Sequence, residues 1–279
     1  MSKRSKSTEA FAGSEGELIS MTRDLEGLHH DVGMPAMEAG VSEMIDAMGA
    51  PAPSNSRRRF LMGAGAAVAG GAALFAVGAT PGLAGAATRT VRPESALDSA
   101  SSLDAAAFPP SNLKGDLAVA AVAASLENLA VFAYNAGINA ALAGKLGTVP
   151  PAVKQFAVTV KGQHTQHAAA WNGVLSGAGK KKVTVTYPPL TPTVQSDFAK
   201  VTDITGLAQL ALTLETAAAQ TYQAETSKLK SSSAIGLSSS IQPVEMQHIA
   251  ILYYVLGEYP GIQSSSGTPL AFNPTSMAV

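Results

Sequence analysis

All three histidines beyond residue 90 fall in two short motifs, His164-x-x-His167 and Glu245-x-x-His248. Two further glutamates, Glu127 and Glu215, sit inside apolar runs that precede those motifs in turn. Residues three apart on a helix project from one face, so each motif can present two side chains to neighbouring positions. Carboxylates between two divalent cations offset their repulsion, and imidazoles fill the terminal positions. The order Glu, His-x-x-His, Glu, Glu-x-x-His is nearly the ligand set of a carboxylate-bridged two-metal site in a four-helix bundle. It departs at His164, where a second bridging glutamate is expected. A neutral imidazole binds one metal through one nitrogen. The residues therefore admit an asymmetric dinuclear site, a mononuclear site, or a vestigial site whose polar groups hydrogen-bond one another.

These residues lie in an internal repeat. Leu126-Glu127-x-x-Ala130-x-x-x-Tyr134-x-Ala136 recurs as Leu214-Glu215-x-x-Ala218-x-x-x-Tyr222-x-Ala224, and Gln166-His167-x-Ala169 recurs as Gln247-His248-x-Ala250. Two matches in the same order imply a pair of helical hairpins related by a pseudo-twofold axis, with the polar residues meeting on it. Tyr134 and Tyr222 lie two turns beyond their glutamates, placed either to donate hydrogen bonds to ligands or simply to pack.

Four helices must position this set. The first is expected from about Asn112 to Leu146, apolar on most faces and so largely buried, Glu127 with it. The second opens at Pro150-Pro151 and stops at Gly177-Ala178-Gly179. Residues 180–195 read as a long crossover containing a strand-like Val183–Tyr187, followed by a short helix near residues 196–201. The third helix runs from an Asp203 N-cap to about Leu229. The serine-rich stretch 231–240 reads as a turn or frayed start. The fourth helix covers about Ile241 to Gly257, with Pro243 placed to kink it. The fold class is all-α.

Apolar residues make up 46% of the chain, charged residues 14% and aromatics 5%, with alanine dominating the apolar runs. That balance favours closely packed helices over a sandwich. The absence of cysteine excludes disulfides, thiolate metal sites and a cysteine nucleophile. No Gly-x-Ser-x-Gly elbow accompanies a histidine, which argues against a hydrolase triad. Residues 60–279 carry a net charge of +1, giving no electrostatic case for nucleic acid. Residues 1–55 carry a net charge of −5 with few large apolar side chains, so this leader is expected to hold little stable structure. His29-His30 within it reads as incidental.

Ser56-Arg57-Arg58-Arg59-Phe60-Leu61-Met62 resembles the twin-arginine export signal, through Arg57, Arg58, Phe60 and Leu61 in particular. An Ala/Gly-rich stretch to Ala79 and then Ala84-Gly85-Ala86 suit a cleaved signal over residues 56–86 better than a permanent membrane span. The resemblance implies a partner, the twin-arginine translocation machinery, and an exported product in the periplasm, envelope or exterior. Residues 87–111 read as a linker, 112–258 as the helical domain and 259–279 as an irregular tail.

The motif constellation over residues 112–258 resembles the ferritin-like superfamily, in particular the ferritin-like domain proteins found after twin-arginine signals in bacteria. The resemblance implies a ferritin-like antiparallel four-helix bundle with a long crossover between helices two and three. It also implies iron or manganese, one or two ions, held by Glu127, His164, His167, Glu215, Glu245 and His248, with oxidase or ferroxidase-type chemistry. The alternative is a non-catalytic envelope or stress protein that keeps the bundle as a scaffold. Homo-oligomerisation is left open.

Overall fold

The computed structural model describes residues 13–48 and 108–258. The twin-arginine-like motif, the apolar stretch and cleavage region after it, most of the linker and the tail from residue 259 lie outside these residues. Among the described residues there are seven α-helices, one π-helical turn and no strand. In chain order they are α1 (Glu15–Leu28), the π turn (His29–Gly33), α2 (Met34–Ala47), α3 (Asp116–Leu142), α4 (Pro151–Gly177), α5 (Thr191–Phe198), α6 (Ile204–Thr226) and α7 (Ser232–Leu256).

The four long helices α3, α4, α6 and α7 pack as two pairs, α3 along α4 and α6 along α7. Helix α3 meets α6 more lightly. Helices α4 and α7 barely touch each other, and α1, the π turn and α2 line this seam, with α1 and α2 each packed against both helices. Small side chains permit the close pairing: Ala120, Ala121 and Ala124 of α3 and Ala170 of α4 are all fully buried. Two apolar clusters result. One gathers Trp171, Val174, Leu237 and Ile241, and the other Phe156, Val160, Leu252 and Val255. The sequence positions of the six candidate ligands fall between these clusters on every long helix.

The helix ends follow local chemistry. Asp203 caps α6 by accepting from the Gly206 N–H at 2.8 Å. Helix α3 ends four residues before the expected Leu146, because Gly144 turns left-handed (φ 71°) and the Lys145 N–H donates back to the Ala140 carbonyl. Gly179 and Gly257 stop α4 and α7 in the same way, with the Lys180 N–H donating to Leu175 and the Glu258 N–H to Tyr253.

Four expectations are corrected. The acidic leader is helical over residues 15–47, because Leu18, Thr22 and Leu25, then Met34, Met37 and Met44, form a buried stripe at helical spacing. The serine-rich stretch is the first third of α7, capped by the Ser231 hydroxyl accepting from the Ala234 N–H. Ser233, Ala234 and Ser238 are buried, and the Ser238 and Thr226 hydroxyls share a hydrogen bond across to α6. The short helix α5 starts earlier than expected, with Pro192 in its first turn. Val183–Tyr187 pairs with no strand. Asn172 instead holds both backbone groups of Val183, accepting from its N–H at 2.7 Å and donating to its carbonyl at 2.9 Å. Asn128 donates to the Val183 and Val185 carbonyls.

Two asparagines thus fasten the crossover over α3 and α4. Asn172→Ala leaves the Val183 N–H without its acceptor, while Asn128 still donates to the carbonyl, and is expected to cost about 1–3 kcal/mol, read as a lower denaturation midpoint at unchanged slope.

Candidate metal centre

Each long helix brings its polar residues to the bundle axis. Glu127 comes from α3, His164 and His167 from α4, Glu215 from α6, and Glu245 and His248 from α7. All six are buried, with Glu245, His167 and His248 at 0% exposure. They form two overlapping ligand groups, Glu127, His164, His167 and Glu245 in one, and His164, Glu215, Glu245 and His248 in the other. Within each group one donor atom per residue lies within 4.8 Å of the others, so each could hold a metal ion.

His164 and Glu245 belong to both groups. Glu245 directs Oε1 toward His167 Nδ1 at 3.0 Å and Oε2 toward His248 Nδ1 at 3.3 Å. His164 spans the other side, with Nδ1 donating to Glu127 Oε2 at 2.7 Å and Nε2 lying 3.1 Å from Glu215 Oε1. The two residues occupy matching positions of the internal repeat, three before His167 and three before His248. The imidazole that departs from the expected ligand set therefore sits at the centre of the cluster.

The tyrosines cross between the halves. Tyr134 donates to Glu215 at 2.5 Å, and Tyr222 donates to Glu127. Trp171 Nε1–H in turn donates to the Tyr222 oxygen at 2.9 Å. Each tyrosine thus serves the glutamate of the other half, as a pseudo-twofold arrangement requires. Burial and the neighbouring carboxylates push both phenols well above their ordinary range, which keeps their protons in these bonds.

Sequence reasoning missed three further residues. Gln163 Oε1 accepts from His248 Nε2–H at 2.7 Å, which turns the imidazole Nδ1 inward. Gln166 Oε1 accepts from His29 Nε2–H at 2.7 Å. His29, expected to be incidental, is buried and meets the His167 ring edge-on at a centroid separation of 5.2 Å. His30 beside it is exposed, its side chain 84% accessible. A glutamine on an apolar helix carries no spacing signal of its own. The leader histidine could be found only once its helix was known to pack here.

Electrostatics among the six is mutual. Burial favours the neutral form of Glu127, but the imidazoles of His167 and His164 outweigh it and hold the carboxyl at about 2. Burial likewise opposes charge on His167, and Glu127 and Glu245 raise it to about 9. Burial is again overcome at His164, raised well above its ordinary value by Glu215 and Glu245, and at His248, raised by Glu215. Glu215 is held well below its ordinary value, against burial, by His164 and His248. His29 goes the other way, lowered to about 3 by burial and by His167.

One test separates this network from a metal site. Both oxygens of Glu245 and both ring nitrogens of His167 are buried without a hydrogen-bond partner. His167 Nδ1 lies 3.0 Å from Glu245 Oε1, a charge contact without hydrogen-bond alignment. Orphaned ligand atoms on Glu245, which both groups share, and on His167 fit a cation better than a closed hydrogen-bond network.

In comparison with known proteins, the ferritin-like domain family matches residues 115–258, more than half of the chain. No curated protein and no solved structure matches.

The pKa directions set a stability profile for the metal-free chain. His167, raised from 6.5 to about 9, contributes stability fully below 6.5 and loses it as pH rises through about 9. His29, lowered from 6.5 to about 3, contributes fully above 6.5 and loses it as pH falls toward 3. Glu127 adds a loss as pH falls from 4.5 through about 2. Thermal melts in chelator are therefore expected to show a maximum near pH 6.5 with decline on both sides. A profile flat from pH 4 to 9 would show that the histidines are not paired as described.

Proposed function

The chain belongs to the ferritin-like domain family, and on that premise we propose that Glu127, His164, His167, Glu215, Glu245 and His248 hold iron or manganese, as one or two ions. The observation that carries this reading is Glu245, wholly buried, with one unpartnered oxygen facing each ligand group. Metals of this kind supply one-electron exchange with oxygen or peroxide, the oxidase or ferroxidase-type chemistry assigned here. Tyr134 and Tyr222 hold Glu215 and Glu127 by hydrogen bonds, Gln163 fixes the tautomer of His248, and the apolar clusters above and below exclude water. A cleft lined by Val119, Ala123, Glu127, His164, Trp171 and Tyr222 reaches the site between α3 and α6.

The protein is exported by the twin-arginine machinery, with the signal at residues 56–86, to the periplasm, envelope or exterior. That route carries folded proteins, so the buried site would be loaded before export.

One observation favours a second reading. Three carboxylates and three imidazolium groups balance in charge, so the cluster can stand without metal, as it would in a non-catalytic envelope or stress scaffold.

Elemental analysis of the full chain, folded in the cytoplasm and purified without chelator, decides between them. One or two iron or manganese ions per chain are expected, and Glu245→Ala is expected to abolish their retention. No metal, with no uptake on adding Fe(II), leaves the scaffold reading standing.

His164→Glu adds a fourth carboxylate where the family's ligand set has one. It is expected to raise occupancy toward two ions while lowering the metal-free melting temperature, because the added buried charge has lost an imidazole partner.

A further inference from the structure

The leader is the part of the molecule that metal binding does not call for, and it packs against the centre. Helices α4 and α7, which carry four of the six ligands, scarcely meet, and α1 through α2 fill the seam between them. Leu18 and Leu25 of α1 join the apolar cluster of Phe156 and Leu252, while Met34, Met37 and Met44 join that of Trp171 and Leu237. The Ser14 N–H donates to the Tyr254 hydroxyl at 2.7 Å, anchoring the start of α1 on α7.

The fit is built from both sides. A Cβ on Gly40 of α2 would lie 3.1 Å from Leu237 Cβ and 3.3 Å from the Leu237 backbone, so α2 rides directly on α7. A Cβ on Gly177 of α4 would lie 2.2 Å from Ile45 Cγ1.

At the level of the ligands the leader breaks its α-helical register. The π turn at His29–Gly33 rotates His29 inward, and π turns of this kind are frequent at functional positions. Gly33 makes room for the ring, since a Cβ there would lie 3.1 Å from His29 Nδ1. His29 then covers the edge of His167, with its own Nδ1 unpartnered beside the unpartnered nitrogens of His167. The twin-arginine-like motif at Ser56–Met62 lies in the sequence between this segment and the bundle.

We propose that residues 15–47 are a detachable plug, seated by His29, that closes the α4/α7 side of the metal centre until hydrolysis of a peptide bond near residue 86 separates it from the bundle. The release step rests on the export reading above; the seating does not. Before processing, the leader covers the α4/α7 side and the α3/α6 cleft reaches the site. After processing, His167 and His248 face an open seam.

The test uses the full chain with a site-specific protease sequence inserted between residues 50 and 55. In chelator-treated protein, carbethoxylation by diethyl pyrocarbonate is followed residue by residue with mass spectrometry. His30, exposed on the leader, is the internal control in the intact chain, and a free histidine-containing peptide is the reference in the sample from which the leader has been removed. His167 is expected to be protected in the intact chain and to react at least about tenfold faster once the leader is cut and removed. Equal reactivity of His167 before and after removal overturns the plug, as does a bundle that unfolds when the leader is removed.

Gly40→Leu in the uncut chain unseats α2 without touching a ligand. It is expected to speed both His167 modification and tryptic cutting at Arg23, with Lys154 and Lys161 still protected. Unchanged rates overturn the seating. Because this footprint needs no metal, a metal-free chain with leader-dependent His167 reactivity would sink the metal function alone. An exported form still carrying residues 15–47 would sink the release alone.

Discussion

Everything in this structure answers to the burial of three carboxylates among apolar helices. An isolated buried carboxylate costs several kcal/mol or takes up a proton. Here Glu245 lies within reach of both Glu127 and Glu215, so repulsion adds to that cost. Compensation must come from positive charge at the same depth, either protonated imidazoles or metal ions. His164, His167 and His248 can supply the first and leave lone pairs for the second. Binding a cation then means displacing protons from imidazoles, which makes affinity rise with pH until the histidines are neutral.

The internal repeat explains where the compensation fails to close. Under the exchange of halves, Glu127 maps to Glu215, Tyr134 to Tyr222, and His167 to His248. The crossed tyrosine bonds obey that symmetry. Two features break it. His164 faces Glu245, so one shared position carries a carboxylate and the other an imidazole. Gln163, which accepts from His248, corresponds to the apolar Val244, so His167 has no such acceptor from within the bundle. His29 stands at that edge of His167 instead, supplied from outside the repeat.

Much of the centre was legible in the sequence because helical spacing and burial act together. Glu127 and Glu215 stand out as charges in runs otherwise alanine and leucine, and the two i, i+3 motifs fix which face they share. Asp203 and the glycines after α4 and α7 announced their helix ends through chemistry that needs no tertiary context. What stayed hidden depends on partners far along the chain. Gln163 and Gln166 look like ordinary helix residues until a histidine arrives opposite them. The start of α7 reads as a serine-rich turn, yet Ser233 and Ser238 are helical because small hydroxyl-bearing side chains fit against α6. The leader was misread because acidic surface residues dominate its composition, while the methionines that bury its inner stripe are spread over several turns.

The leader also bears on how the bundle holds together. A four-helix arrangement closes when each helix meets two neighbours, and here α4 and α7 do not meet well enough to do so alone. Something must cover Trp171, Leu237 and Ile241 on that side, and in the described chain Met34, Met37 and Met44 join their cluster. Methionine suits a contact that must form and later part, since its flexible thioether fills irregular gaps without the fixed interlock of branched side chains. Gly40 lets α2 ride close on the Leu237 backbone, and Gly177 leaves room for the Ile45 side chain. A seam covered by adaptable side chains, with one histidine set over the ligands, behaves as a closure that can be lifted more readily than as a wall of the core.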